Sequence, residues 1–208
     1  MEVRLLRHTF DPAMICGEAA AICTGSDEPL LALRGAMSCG HESVAEHAVF
    51  TFKIEGVSRV LLAQLTRHRL ASFSVQSQRY CGVNPDDVVL PESFEEHGHV
   101  SDVDAFLLQA ASLYEKLIES GVPEEDARYI IPQGVTCSLI MTMNVRELLH
   151  FFSLRCCNRA QWEIRELADQ MREICYEVSP ILFRRSGAPC QRGVKCPEGK
   201  KSCGNPRK

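Results

Sequence analysis

The chain has 208 residues, 45% of them hydrophobic, enough to bury one sizeable core, and the length favours one domain over two. Its formal net charge of −4 argues against a general nucleic-acid binder, which carries a basic balance, and leaves only a local basic site open. No apolar run approaches the roughly 18 residues of a membrane span, and the charged N-terminus MEVRLLRHTFDP lacks the apolar stretch of a secretory signal, so the expected location is cytoplasmic.

The first fifteen residues alternate loosely, with a short strand expected around Val3–Leu6. Glu28 to Met37 predicts a short helix capped from Ser26-Asp27. From His47 to Ile54, Ala48, Phe50, Phe52 and Ile54 share one face in a period-two pattern rich in β-formers, which predicts a strand ended by Gly56. A helix over Val57–His68 follows, and residues 70–80, which hold no clean period, are expected in an ordered loop. Pro85 and Pro91 frame another irregular stretch.

Ser101 to Ser120 predicts a helix, with Val103, Phe106, Leu107, Ala110, Leu113, Tyr114 and Leu117 on its apolar face and a capping box from Ser101 and Asp104. A short helix over Glu124–Tyr129 stops before Pro132. Val135 to Met143 predicts a strand, and Asn144 caps a helix over Val145–Leu154 with Glu147 at its third position. Gln161 to Val178 is expected as a long amphipathic helix carrying Ile164, Leu167, Met171, Ile174 and Val178 inward. The expected fold is mixed α/β, its sheet packed against several helices. No GxGxxG follows a strand, so a Rossmann cofactor site is not indicated. Residues 1–187 are expected to form a single catalytic domain and 188–208, rich in Gly, Pro and Lys, a C-terminal tail.

Eleven cysteines, an odd number, argue against a disulfide framework and for reduced thiols, several of them buried. Cys190, Cys196 and Cys203 are spaced along the tail without a Cys-x-x-Cys pair, which favours a mobile tail over a zinc site. His41, Glu46 and His47 lack the spacing that puts two zinc-binding histidines on one helix face, so no metal is expected there.

The most unusual segment is RHRLASFSVQSQRY, Arg67 to Tyr80, with three arginines, a histidine and three serines in its first thirteen residues. Guanidiniums stay charged and bind phosphate in pairs of hydrogen bonds, and serine hydroxyls can complete an oxygen shell. On residue types alone this is an anion site or a surface ion-pair cluster between subunits.

The segment resembles the signature of the flavin-dependent thymidylate synthases: Arg-His-Arg, seven residues, Ser, one residue, Arg-Tyr. His41-Glu42-Ser43-Val44-Ala45-Glu46-His47, Ala127-Arg128-Tyr129-Ile130-Ile131-Pro132, Asn144-Val145-Arg146-Glu147-Leu148 and Leu154-Arg155 with Ala160-Gln161-Trp162-Glu163-Ile164 resemble further elements of that family, in the same order, so that the likeness spans roughly residues 40 to 185. The resemblance implies a central, mostly antiparallel sheet in a non-Rossmann homotetramer whose active sites are shared between subunits. It also implies reductive methylation of dUMP to dTMP, with methylenetetrahydrofolate as carbon donor and NADPH-reduced FAD as hydride source; the hydropathy and charge above lead to the expectation of no membrane or nucleic-acid partner.

Site roles carry over on matching positions. The resemblance places Ser43, Arg67, His68, Arg69, Asn144, Arg146 and His150 at FAD positions, with Val75 and Val145 alongside. It places Gln64, Arg67, Ser77, Arg79, Arg128 and Arg155 at dUMP positions, with Leu65, Thr66, Val75, Gln76 and Gln78 alongside. Arg155 is the implied catalytic residue, a guanidinium beside the uracil that favours an anionic ring and a nucleophilic C5. Ser77 has no Ser-His-Asp partner set and is expected to bind dUMP rather than attack it. Val75 stands where some relatives carry an acid, leaving backbone contacts, and His150 stands where an amide is common. A flavoprotein acting on another nucleotide and a nucleic-acid-binding module are the rival readings.

Overall fold

The computed structural model describes residues 1–82, 84 and 87–207. Four strands, β1 (Glu2–His8), β2 (Val49–Ser58), β3 (Ala71–Val75) and β4 (Thr136–Asn144), make one antiparallel sheet in the order β1-β2-β4-β3. The helices are α1 (Pro12–Thr24), α2 (Pro29–Ser38), α3 (Arg59–Leu65), α4 (Ser93–Glu96), α5 (Val100–Glu119), α6 (Glu124–Ala127), α7 (Val145–Arg155), α8 (Trp162–Val178) and α9 (Pro180–Phe183). The mixed α/β fold with an antiparallel sheet is the one expected.

The period-two strand is found with its face inward: Ala48, Phe50, Phe52 and Ile54 are fully buried. It does not end at Gly56. That residue sits inside β2 at φ +67, a left-handed conformation that glycine adopts without a Cβ clash, and the strand runs on to Ser58. The helix after it is therefore shorter than the expected Val57–His68. Ser58 Oγ accepts from the Leu61 amide at 3.0 Å and sets its start, and a tight turn, His68 N–H to the Leu65 carbonyl at 3.1 Å, closes its end. Residues 71–75, expected in a loop, form strand β3. Ala71, Phe73 and Val75 lie half-buried on one face, alternating with the exposed Ser72 and Ser74, and the ladder to β4 orders the strand.

Two further elements carried no readable period. Helix α1 is apolar nearly all round, so no single stripe announces it. Its start is set by Asp11, left-handed at φ 40, which accepts from the Met14 amide at 3.2 Å, and by Pro12 in the first turn. Gly17 lets α1 approach α2, since a Cβ there would lie 2.9 Å from the Pro29 carbonyl oxygen. Pro91, but not Pro85, lies among the described residues, and it precedes the short α4.

Capping is partly as expected. Asn144 Oδ1 accepts from the Glu147 amide at 2.9 Å. The Ser101–Asp104 box does not form: α5 starts one residue earlier with His99 at the cap and no side-chain cap bond. Its buried residues are Ala110, Ala111 and Tyr114, while Phe106 and Leu113 remain 57% and 47% exposed. Ser26 accepts from the Glu28 amide just ahead of α2, and Glu28, not Ser26 or Asp27, is the cap.

The chain divides into two compact units, and β2, β3 and β4 each pass from one into the other. Unit 1 holds Met1–Glu2, Ile54–Gln64 and Ser74–Leu139. Val135, just ahead of β4, and Cys137 and Leu139 within it alternate inward. Unit 2 holds Val3–Lys53, Leu65–Phe73 and the chain from Ile140 on. Its core is aromatic: Phe183 meets Phe50 edge-on at 5.5 Å and Phe152 at 6.2 Å, each ring contributing about 1.5–3 kcal/mol by burial. Late in the chain, Arg207 binds both carboxylate oxygens of Asp169 on α8, at 3.0 and 2.8 Å, and the Cys156 carbonyl at 2.6 Å.

Candidate active site

In unit 2 the Arg-His-Arg segment leaves α3 and turns its middle residue inward. His68 is only 5% exposed, while Arg67 and Arg69 on either side are exposed and make no ion pair among the described residues. The His68 ring is held edge-on by Phe151 at 5.0 Å, with His150 at 5.9 Å. Its Nδ1 lies 2.8 Å from Glu147 Oε1 and its Nε2 accepts from Arg155 Nε at 3.1 Å. A guanidinium only donates, so Nε2 must offer its lone pair and the ring proton must sit on Nδ1. His68 is thereby a neutral imidazole between a carboxylate and a guanidinium. Its pKa lies below the ordinary value, chiefly because burial disfavours the cation and also because Arg155 repels it, against the opposing pull of Glu147. Burial, and then repulsion from nearby Arg67, lowers the pKa of Arg155.

The other expected flavin residues in this unit surround α7. Asn144 is the cap residue, and Arg146 forms an ion pair with Glu46, on the turn Glu42–His47 that also carries the exposed Ser43. That pairing raises the pKa of Arg146. His150 is exposed beside His68. Leu65 and Val145 have fully buried side chains, so any contact they make to a ligand falls to the backbone. Thr66 is exposed.

Two exposed guanidiniums without carboxylate partners among the described residues, an imidazole held neutral and a helix start with its own cap fit a dinucleotide bearing a pyrophosphate, as FAD does. His68, Glu147 and His150 also bring ligand-type atoms within 4.8 Å of one another. Both ring nitrogens of His68 are already committed and Arg155 adds a positive charge, so this group is built for hydrogen bonding rather than for a cation. The tail cysteines form no such group among the described residues.

In unit 1 the second half of the signature forms a polar loop. Gln76 continues the β3–β4 ladder: its amide donates to the Ser138 carbonyl at 2.9 Å, and its Oε1 accepts from the Ser138 amide at 3.3 Å. Ser77 Oγ accepts from the Arg79 amide at 3.2 Å. Arg79 pairs with the Glu125 carboxylate at 2.8 Å, and Arg128 Nε donates to the Glu125 carbonyl at 3.0 Å. Gln64, on α3, donates to the Val60 carbonyl at 3.4 Å. A cavity of about 390 Å³ is lined by Gln76, Ser77 and Gln78 together with Arg59, whose Nη2 donates to the Gln76 carbonyl at 2.9 Å. Val75, half-buried, ends β3 just before it.

Glu147 and Arg59 were not among the residues singled out by sequence. Glu147 carried a capping explanation, and Arg59 stood inside an expected helix. A wider cavity of about 920 Å³ in unit 2, lined by Arg34, Arg184, Arg185 and Arg192 among others, holds none of the expected site residues. None of the eleven cysteines forms a disulfide. Burial pushes Cys16 up to about 11 and Cys156 up to about 12, so neither is an activated thiol.

The family model described as Thy1, thymidylate synthase complementing protein, matches residues 4–181. The flavin-dependent thymidylate synthase of Geobacter sulfurreducens is 45% identical over 219 residues, covering 98% of this chain and 94% of its own. The one from Clostridium tetani is 39% identical over 233 residues, covering 98% and 93%. Among solved structures, a UMP/dUMP methylase, PolB from Streptomyces cacaoi bound with 5-Br dUMP, matches with a TM-score of 0.76 at 25% identity, over 88% of this chain and 93% of that one. With a model match over most of its length and relatives of this identity and coverage, the chain belongs to the flavin-dependent thymidylate synthase family.

Proposed function

We propose that this chain makes dTMP by reductive methylation of dUMP, taking the carbon from methylenetetrahydrofolate and the reducing equivalents from NADPH. FAD, when bound, supplies the hydride chemistry that side chains cannot. The observation that carries this reading is the meeting of His68 and Arg155, which come from stretches 87 residues apart and touch at 3.1 Å beside Arg67. Such convergence suits a site where cofactor and pyrimidine lie together.

The chain's own groups divide the work. Arg67, Arg69 and Arg146, with Ser43, Asn144 and His150, hold the flavin and its pyrophosphate, and His68 presents a neutral ring to it. Arg155, partly withdrawn from water, favours negative charge on the uracil and so a more nucleophilic C5. Ser77, Arg79 and Arg128 clamp the dUMP phosphate, with Gln76, Gln78 and Gln64 as further nucleotide contacts; the backbone of 65–67 is a nucleotide contact of its own. Residues 1–187 act as one catalytic domain with 188–208 as its tail. The working form is a cytoplasmic homotetramer with shared active sites that needs neither nucleic acid nor membrane.

The decisive experiment is an absorbance spectrum of the purified protein followed by NADPH, methylenetetrahydrofolate and a panel of nucleotides. A flavin spectrum that bleaches with NADPH, and dTMP formed from dUMP alone among the panel, is the expected result. A colourless protein, or turnover only with another nucleotide, overturns the reading.

A further inference from the structure

We propose that Glu147 is a positioning residue: its buried carboxylate fixes the ring proton of His68 on Nδ1, which turns the Nε2 lone pair toward Arg155 and holds that guanidinium in place. The inference rests on the reading of Arg155 as the group that faces the uracil.

A glutamate three residues after a capping asparagine commonly reaches back to the helix start. Glu147 does only half of this. Its amide is capped by Asn144, but its side chain turns inward, 6% exposed, onto His68. Burying a carboxylate is costly unless it is well partnered. Here the partner is an imidazole, and a compensating positive charge lies on that ring's far side, at Arg155. Carboxylate, imidazole and guanidinium thus form a line in which each donor meets an acceptor.

The line has one consistent proton arrangement. With the proton on Nε2, His68 would point a donor at the Nε–H of Arg155 and a lone pair at the lone pairs of Glu147. Both contacts would turn repulsive, and Phe151 against the ring face leaves little room to swing away. Arg155 already meets burial and the repulsion of Arg67. Of the contacts that hold it, the acceptor on His68 is the one whose existence depends on Glu147.

The test uses the FAD-loaded protein and two substitutions. Glu147→Gln keeps an oxygen that can accept from Nδ1–H; Glu147→Leu removes the acceptor at similar volume. Nitrogen-15 NMR of labelled histidine should show His68 neutral and protonated on Nδ1 in the parent and in Glu147→Gln, and a new population protonated on Nε2 in Glu147→Leu, where only Arg155 still favours the Nδ1 proton. Glu147→Leu should also lose dTMP formation by about 10–100-fold with a raised KM for dUMP, while Glu147→Gln stays within about fivefold. The low-pH limb of Glu147→Gln should shift to lower pH, because the carboxylate that favours the His68 cation is gone. A parent ring protonated on Nε2, or on both nitrogens, overturns the proposal. So does loss in both variants that simply tracks a lowered melting temperature. A parent that carries the Nδ1 proton but makes no dTMP counts instead against the proposed reaction.

Discussion

The two halves of the signature are built in opposite ways. Around His68, in unit 2, the polar atoms are sheltered and matched before any ligand arrives, with His68 and Glu147 5% and 6% exposed. Around Ser77, in unit 1, the groups are open: the Arg79 and Glu125 side chains are 52% and 49% exposed, and their bond is an ordinary surface ion pair. Breaking a buried charged contact typically costs about 3–5 kcal/mol, whereas an exposed pair contributes about 0–1. On the proposed reading the first region is pre-organised for chemistry, and the second is a clamp whose present partner is easily exchanged for a phosphate.

The sharpest break in that comparison is Arg155→Ala. It removes the group proposed to stabilise charge on the uracil, and dTMP formation should fall by at least about 100-fold while the flavin absorbance stays. A single-turnover assay beside a spectrum separates the two. Normal turnover would take the uracil role away from Arg155.

Arg79→Ala tests the open half. Losing charge-assisted hydrogen bonds of about 1.5–3 kcal/mol to the phosphate should weaken dUMP binding about 10–100-fold, with the melting temperature unchanged. Ser77→Ala removes a neutral donor and should cost about 2–10-fold in dUMP affinity, read by calorimetry. Abolished chemistry with unaltered dUMP affinity in that variant would instead revive a nucleophilic serine.

The sheltered half also makes a prediction about pH. The folded pKa of His68 lies below its ordinary 6.5, so between those values the unfolded chain binds a proton that the folded one refuses. The stability linked to this ring is complete above about pH 6.5 and is lost as the pH falls through the lowered folded value. Urea midpoints measured from pH 7.5 down to 5 should decline, and more gently in His68→Gln. Equal slopes in the two proteins would mean that His68 is not held neutral.

The same contrast explains what the sequence disclosed. Periodic elements were legible: the inward face of β2, helix α8 and the Asn144 cap follow from spacing, because one buried side and one wet side leave a pattern. Helix α1 left none, since nearly every residue in it is small or apolar. Strand β3 is only five residues long, so its Ala71-Phe73-Val75 alternation is too brief to stand out, and its order comes from β4, more than sixty residues downstream, with Gln76 bonded to Ser138 just beyond its end. The signature arginines were legible by family likeness. Glu147 was not, because it satisfies a local rule with its amide while its carboxylate serves a histidine 79 residues away.

The mildest prediction concerns Glu125, which holds Arg79 by its carboxylate and Arg128 by its carbonyl. If the clamp closes on phosphate, Arg79 must leave that carboxylate, and the loss opposes binding by no more than an exposed ion pair is worth, about 0–1 kcal/mol. The carboxylate also repels the incoming phosphate across a partly screened distance. Both effects have the same sign. Glu125→Gln should therefore tighten dUMP about 2–5-fold, more at low salt than at high, while the backbone contact to Arg128 and the melting temperature stay as they are. Weaker dUMP binding in Glu125→Gln would mean that the carboxylate orients Arg79 for the substrate instead of competing with it, and the open half of the signature would then be as pre-organised as the buried one.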